Sequence, residues 1–505
     1  MTQASLARIG ARGGAVTLLG QVLMVAVRMG ALIVLARLID PGTFGLVAIV
    51  AAISTFAVSV VLFGLPMAVA QAETLSRPAK STLFLVNVGL GLLLGAALFL
   101  SGGWLARAYG DERLVGVAHW LALIPVLIGL ATQSRAQLMR SLRFTTLFFA
   151  EVVALVVGTG AAVFLAVRGA GLEAVLTQQL APVALQVVLV VVGGRWLPGR
   201  PGALAEVRSL LAVGLRILGM NVLKNGSRQV IVPVMGLSVP AAALGNFDRA
   251  QQLIVTPINL TVDRMQQVVV PVLSKLRGRP ARMRAYAQRA LLLGAYGTAT
   301  VFLLLAVLGR PLVRVVLGPG WETAGVVIQI LALGATCRVL GQTMQWIFIA
   351  AGATRQGLRF NLWTQPLVVA VSLAGLPFGV LGVAVMNSVA WALFWPVATV
   401  AAARAAGFPA GSFFVGPARA ICLFGIPVAA VAALPLLLGL SDGVTVVLGL
   451  VLGGCAGALS RLLFRTVRSD LDALVSTARL ALARRTSPAS ARPERTHGAN
   501  LHERD

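Results

Sequence analysis

The chain has 505 residues, 58% of them hydrophobic and only 11% charged, with a formal net charge of +26. A soluble domain carries about 25% charged residues, and apolar runs recur here from Gly14 to Phe464, so the sequence describes an all-α polytopic membrane protein. The positive charge is therefore no nucleic-acid footprint, since it falls between hydrophobic spans rather than on a soluble face.

The chain opens with Arg8 and Arg12 ahead of an apolar run and has no small-residue cleavage site, which reads as a first span rather than a removable signal peptide. Segments long enough to cross ~30 Å of hydrocarbon follow at residues 14–36, 44–71, 82–105, 114–134, 144–167, 174–194 and 209–236. They continue at 244–271, 287–309, 322–350, 361–379, 381–403, 414–439 and 443–464, about fourteen spans in all. If the N-terminus is cytoplasmic, the outer loops hold only Arg37, Arg107, Arg113, Arg168, Arg310 and Arg314 of the 42 basic residues. Most of the others fall on the inner loops and both tails, as the positive-inside rule demands. The reading places both termini in the cytoplasm. Beyond the last span, Leu471, Leu474, Ala478 and Leu482 predict an amphipathic helix lying on the inner leaflet, followed by a disordered end.

Seven basic residues fall inside spans: Arg28, Arg216, Lys224, Arg228, Arg249, Arg264 and Arg338. A charge at a helix centre costs at least ~2.5–3.5 kcal/mol on insertion scales, so such residues usually face a cavity. Arg216 and Arg249 lie near predicted ends, from which a long side chain can reach the interface. Arg28, Lys224, Arg228 and Arg264 lie deeper and are predicted to line a cavity. In the seventh span Asn221, Lys224, Asn225 and Arg228 share one helical face. In the eighth, Asp248, Gln252, Thr256, Asn259, Asp263 and Gln266 form a longer stripe, with a kink expected at Pro257. Thr17, Gln21 and Arg28 add a face from the first span. Guanidinium groups bind phosphate in bidentate fashion, and amides satisfy sugar hydroxyls. A cavity built of both suits a polyhydroxylated anion, with Asp248 and Asp263 placed to tune the arginines or to couple transport to protons.

Other chemistries lack their motifs. Cys337, Cys422 and Cys455 have no CxxC partner, and His119, His497 and His502 are scattered, so no metal is implied. Lys80, Lys224 and Lys275, the only lysines, form no GK[ST] triplet, and no cofactor is implied. Asp111-Glu112 is the one adjacent acid pair in the short outer loops and reads as solvated.

A turn containing Asp40-Pro41, then Phe44 and Gly45, precedes the second span; a turn containing Pro240, then Gly245 and Phe247, precedes the eighth. Six spans separate them, which predicts parallel repeats about an axis along the membrane normal, with the site between them. The segments LARLIDPGTFGLVAIV (Leu35–Val50), LPMAVAQ (Leu65–Gln71), STLFLVN (Ser81–Asn87), QLMRSLRF (Gln137–Phe144), LGNFDRAQQLIVTPINL (Leu244–Leu260) and VVPVLSKL (Val269–Leu276) together resemble polysaccharide exporters of the colanic-acid type. GPGWETA (Gly318–Ala324) extends the likeness. These exporters lie close to the O-antigen flippases of the multidrug/oligosaccharidyl-lipid/polysaccharide superfamily.

The resemblance implies two pseudo-symmetric six-helix lobes, residues 1–200 and 201–405, around a central basic cavity. It also implies peripheral helices at 406–466, a cytoplasmic tail at 467–505, and outward closure through the turns at Asp40-Pro41 and Pro240–Asn246. The implied substrate is an undecaprenyl-diphosphate-linked oligosaccharide, flipped across the bacterial inner membrane by a monomer that feeds a polymerase and export machinery. On that reading Arg28, Lys224, Arg228 and Arg264 bind the diphosphate, and Asn221, Asn225, Gln252 and Asn259 contact sugar. Phe247 stands where the family commonly has tyrosine. A membrane glycosyltransferase or polymerase, a multidrug efflux antiporter and a peptidoglycan-precursor flippase are the competing readings.

Overall fold

A computed structural model describes residues 23–62, 76–141, 143–221 and 229–474. Among them the chain is helical throughout, with no strands. Helix α1 (23–38) is followed by α2 (Pro41–Leu62), α3 (Arg77–Leu100), α4 (Arg113–Arg140), α5 (Phe144–Val167) and α6 (Gly171–Gly194). Next come α7 (Leu204–Asn221), a short helix at Ile231–Gly236, and α8 (Ala241–Lys275). The remainder is α9 (Pro280–Leu317), α10 (Glu322–Ala350), α11 (Thr354–Leu373), α12 (Gly379–Ala405), α13 (Ser412–Leu438), α14 (Asp442–Leu463) and α15 (465–474). Among the described residues ten helical stretches are long and apolar enough to cross a membrane. One of these, Thr354–Ala405, is the α11–α12 hairpin, where Asn387 on α12 donates to the Ser372 hydroxyl on α11. The 35-residue α8 is too polar to be among the ten, and its helix continues through position 257.

Helix ends lock the two faces of the bundle. Asp40 caps α2, accepting from the Thr43 N–H at 3.0 Å and the Thr43 hydroxyl at 2.6 Å, with Pro41 in the first turn, where its missing N–H is harmless. Burial pushes the Asp40 carboxyl up, but the Thr43 hydroxyl and the N–H groups of Thr43 and Gly42 outweigh that and hold it below the usual carboxylate range. A lowered folded-state pKa gives stability that is present above the unfolded value and lost as pH falls through the folded one. Asp40→Ala is expected to cost about 1 kcal/mol, and Asp40→Asn to keep the cap but flatten the acid limb of a thermal-stability profile below about pH 5.

The same end carries contacts between distant segments. The Trp321 indole N–H donates to the Ala36 carbonyl at 2.8 Å, Arg37 Nε donates to Val316 O at 3.1 Å, and its Nη2 reaches Val315 O. Tyr109 donates to Pro233 O at 2.9 Å, and Asn246 Oδ1 accepts the Ala324 N–H at 2.9 Å. At the centre α2 and α8 cross backbone to backbone. A Cβ on Gly45 would run into the Ala241 carbonyl, and one on Gly245 into the Pro41 carbonyl. The relation is reciprocal, matching Pro41–Gly45 with Ala241–Gly245. We call this end the clasp.

Away from the clasp, α3 packs on α4 and α5 on α6, while α8, α9 and α12 pack on α10. Helices α13 and α14 pack on each other and on α9. Single π-helical turns interrupt α9 at Gly294–Ala299 and α13 at Ile421–Gly425, and Tyr296 meets Phe424 between them at 5.4 Å.

The start of the tail departs from expectation. Val467 on α15 is fully buried, and Leu471 and Leu474 pack against the main core rather than facing lipid headgroups. Asp470 accepts from Arg419 at 2.5 Å and from the Tyr296 hydroxyl at 3.0 Å, pinning α15 to α13 and α9. Ala478 and Leu482 lie outside the described residues. Hydrogen bonds to a charged group contribute about 1.5–3 kcal/mol each. Asp470→Asn is therefore expected to free α15 and speed tryptic cleavage at Arg465 and Arg468 about tenfold, read by limited proteolysis.

Candidate functional site

Below the clasp lies a cavity of about 460 Å³. Helix α2 supplies one wall from Phe44 to Ser59, presenting small side chains at helical spacing. Helix α8 supplies Asp248, Arg249, Gln252 and Thr256, α6 adds Gln179, Gln229 leads into the short helix, and α10 adds Arg338.

Arg249 and Arg338 are the cavity's cations, only 4% and 6% exposed. Each rests on an aromatic ring from a neighbouring helix. Arg249 Cζ lies 4.0 Å from the Phe44 ring centroid, and Arg338 Cζ 4.9 Å from that of Trp391. A desolvated cation–π contact stabilises by about 2 kcal/mol or more, enough to offset part of the burial cost. Asp248 is the one carboxylate in the lining among the described residues, and it meets Arg249 through an amide. Gln252 donates to Asp248 Oδ2 at 2.7 Å and accepts from Arg249 Nη1 at 3.0 Å. The spacings i to i+4 and i+3 put all three groups on one stretch of α8. Asp248 and Arg249 lie more than a turn inside α8, which begins at Ala241, so they do not cap it. Arg249 Nε is buried without a hydrogen-bond partner among the described residues. Such a site offers N–H donors and positive charge to an anion, and amides and hydroxyls to its polar substituents.

The sequence-selected residues distribute unevenly. Asp248, Gln252 and Thr256 line the cavity as the stripe on α8 predicts. Arg28 is exposed, 3.9 Å from Glu151 of α5, and is not among the lining residues. Asn221 ends α7, and Asn259, Asp263 and Arg264 lie on α8, but their side chains are outside the described set. Lys224, Asn225 and Arg228 lie outside the described residues altogether, as do Thr17 and Gln21. Arg249 and Arg338 are the groups that sequence reasoning left unassigned. Arg249 sits one residue off the polar stripe, and Arg338 sits in a helix with no polar face. Phe247 is fully buried in the apolar core, where a hydroxyl would need a partner. At the clasp end Asp111 pairs with Arg113 at 2.8 Å on the surface, and hydrogen bonds from Arg113 hold its carboxyl below the usual range despite some burial.

A membrane-embedded helical bundle around a basic, amide-lined cavity closed at one end is a transporter's architecture. The chain belongs to the polysaccharide biosynthesis protein family, whose pattern matches residues 34–326. It is 23% identical over 365 residues to the lipopolysaccharide biosynthesis protein WzxC of Escherichia coli (strain K12), covering 72% of this chain and 74% of that one. It is 24% identical over 302 residues to the amylovoran biosynthesis protein AmsL of Erwinia amylovora, covering 59% and 78%. In fold it resembles the lipid II flippase MurJ in an inward closed conformation, with a TM-score of 0.65 at 13% identity over 88% of this chain and 98% of that one. It also resembles an inward-facing multidrug resistance MATE family transporter of the MOP superfamily, with a TM-score of 0.60 at 14% identity over 79% and 94%. The resemblance to polysaccharide exporters read from the sequence, and the all-helical membrane fold it implied, are both borne out.

Proposed function

We propose that this protein flips an undecaprenyl-diphosphate-linked oligosaccharide across the bacterial inner membrane by alternating access, for exopolysaccharide or O-antigen synthesis. The observation that carries this reading is the cavity in which two buried arginines rest on aromatic rings, with a single carboxylate in the lining among the described residues. A cavity for cationic drugs needs net negative charge; this one has net positive charge and suits a diphosphate. The names of WzxC and AmsL, both polysaccharide biosynthesis proteins, point the same way.

On this reading Arg249 and Arg338 hold the diphosphate, and Gln179, Gln229 and Gln252 meet sugar hydroxyls. Arg28, Lys224, Arg228 and Arg264 would also bind the diphosphate, and Asn221, Asn225 and Asn259 would also contact sugar. Asp248 and Asp263 release the arginines or couple transport to protons. Residues 1–200 and 201–405 act as rocking lobes, and the reciprocal crossing of α2 and α8 supports a two-fold axis between them. The clasp faces outward and both termini lie in the cytoplasm, supported by the few arginines at the clasp end. The protein works as a monomer and hands its product to a polymerase.

Transbilayer movement of fluorescent undecaprenyl-diphosphate oligosaccharide in proteoliposomes tests the reading. Movement by wild type supports it; export of a cationic dye with no movement of lipid-linked sugar replaces it with efflux.

A further inference from the structure

Phe44 belongs to the cavity and the clasp at once. One face of its ring carries the Arg249 guanidinium at 4.0 Å, and Trp321 packs at 5.6 Å with an interplanar angle of 52°. Trp321 in turn donates to the Ala36 carbonyl across the clasp. Both rings are 1% exposed, so neither has a solvent-facing alternative. Next to Phe44, Gly45 makes the backbone contact with α8. The ring therefore joins a cavity group to the seal above it.

The Arg249 guanidinium is incompletely satisfied where it lies. Nη1 donates to Gln252, Nε has no hydrogen-bond partner, and the π face of Phe44 stands in for a counter-ion. Phosphate oxygens are stronger acceptors for guanidinium than a ring is, because the bonds are charge-assisted and bidentate. An anion entering the cavity competes with Phe44 for the same cation. Once the cation leaves, the ring loses its partner on the cavity side and its fixed position against Trp321.

We propose that Phe44 is a positioning residue that transmits anion capture at Arg249 to the Trp321–Ala36 contact, so that an empty cavity holds the clasp shut and a loaded one loosens it. This rests on the reading of the cavity as an anion site. The coupling is reciprocal: what the anion does to the clasp, the clasp does to anion affinity. One desolvated cation–π contact corresponds to about a 30-fold change in the closed-to-open ratio.

The test uses the full chain with its three cysteines replaced by serine and spin labels on cysteines at the exposed positions Leu38 and Leu237, on either side of the clasp. Inorganic pyrophosphate is the probe, its binding measured by equilibrium dialysis and the label distance by double electron–electron resonance. In wild type, pyrophosphate is expected to raise the long-distance population at least tenfold. In Phe44→Leu that population should be high without pyrophosphate and respond less than twofold. The same variant should bind pyrophosphate several-fold more tightly, because no ring competes for Arg249; a merely structural loss would not tighten binding. Phe44→Tyr should restore the response. Trp321→Phe, which loses the N–H to Ala36 and part of the ring but keeps an aromatic face toward Phe44, should raise the unliganded open population and serves if Phe44→Leu does not fold. Pyrophosphate that binds wild type without changing the distances overturns the coupling and leaves the cavity reading intact, as does a Phe44→Leu variant that responds like wild type. Absence of pyrophosphate binding to wild type removes both.

Discussion

Valine at Gly45 or at Gly245 is expected to abolish transport, lowering it at least about 100-fold while membrane insertion stays normal. Each new side chain would meet a main-chain carbonyl of the facing helix, Ala241 in one case and Pro41 in the other. Carbonyls at helix N-termini cannot rotate away as a flexible side chain can, so α2 and α8 must separate. Separation breaks the Trp321–Ala36 and Arg37–Val316 hydrogen bonds and leaves their polar atoms to water. The variants should therefore favour a state open at the clasp, read as a larger Leu38–Leu237 distance between spin labels. Alanine at Gly103 or Gly160, where an added Cβ meets nothing within 4 Å, should change neither transport nor distance. A Gly45→Val protein that transports at the wild-type rate would show that closure at this crossing is not part of the cycle.

Arg249→Gln and Arg338→Gln are each expected to weaken pyrophosphate binding by about 10- to 100-fold, the range of a charge-assisted hydrogen bond of about 1.5–3 kcal/mol. For Arg249, whose link to Asp248 runs through Gln252, thermal stability should hold or rise in the glutamine variant, because a buried guanidinium that is not directly paired costs desolvation energy that glutamine does not. That combination separates a binding role from a structural one. Lysine at either position keeps the charge but loses the planar stacking on Phe44 or Trp391, and should fall between wild type and glutamine. The two sites face one cavity, so the double variant should fall short of the product of the single effects. Glutamine variants that lose stability but keep affinity would place the arginines in the scaffold.

The sequence made the polar stripe on α8 visible because helical periodicity reports which residues share a face. Asp248, Gln252 and Thr256 accordingly fall where that stripe puts them. Periodicity does not report what comes to meet a face. Arg249 stands one position off the stripe, and what makes it a cavity residue is Phe44, delivered by α2 from a distant part of the chain. Arg338 gave less signal still, since α10 is mostly buried on all sides and has no polar face to mark one residue as different. Turn chemistry made the two proline-containing turns visible as a repeated feature, but the pairing of Gly45 with Gly245 depends on a register that only the packed helices fix. For the tail, the spacing of Leu471 and Leu474 was legible as one apolar face. Its partner was not, because Asp470 finds Arg419 and Tyr296 on two other helices.

The contacts that bridge the clasp are main-chain crossings, aromatic packing, and hydrogen bonds from an indole, a phenol, an amide and one arginine. None of these groups changes charge between about pH 4 and 9, and among the described residues no carboxylate is paired across the gap. Salt has little to screen where backbone meets backbone. Above about pH 5, where the Asp40 cap of α2 stays ionised, these bridging contacts are thus insensitive to the acidity and ionic strength of the solution that bathes them. A cell moving between dilute and saline surroundings would find these contacts unchanged. Salt has no handle on these contacts, and the proposed Phe44 coupling would bring the signal to open from the cavity side instead.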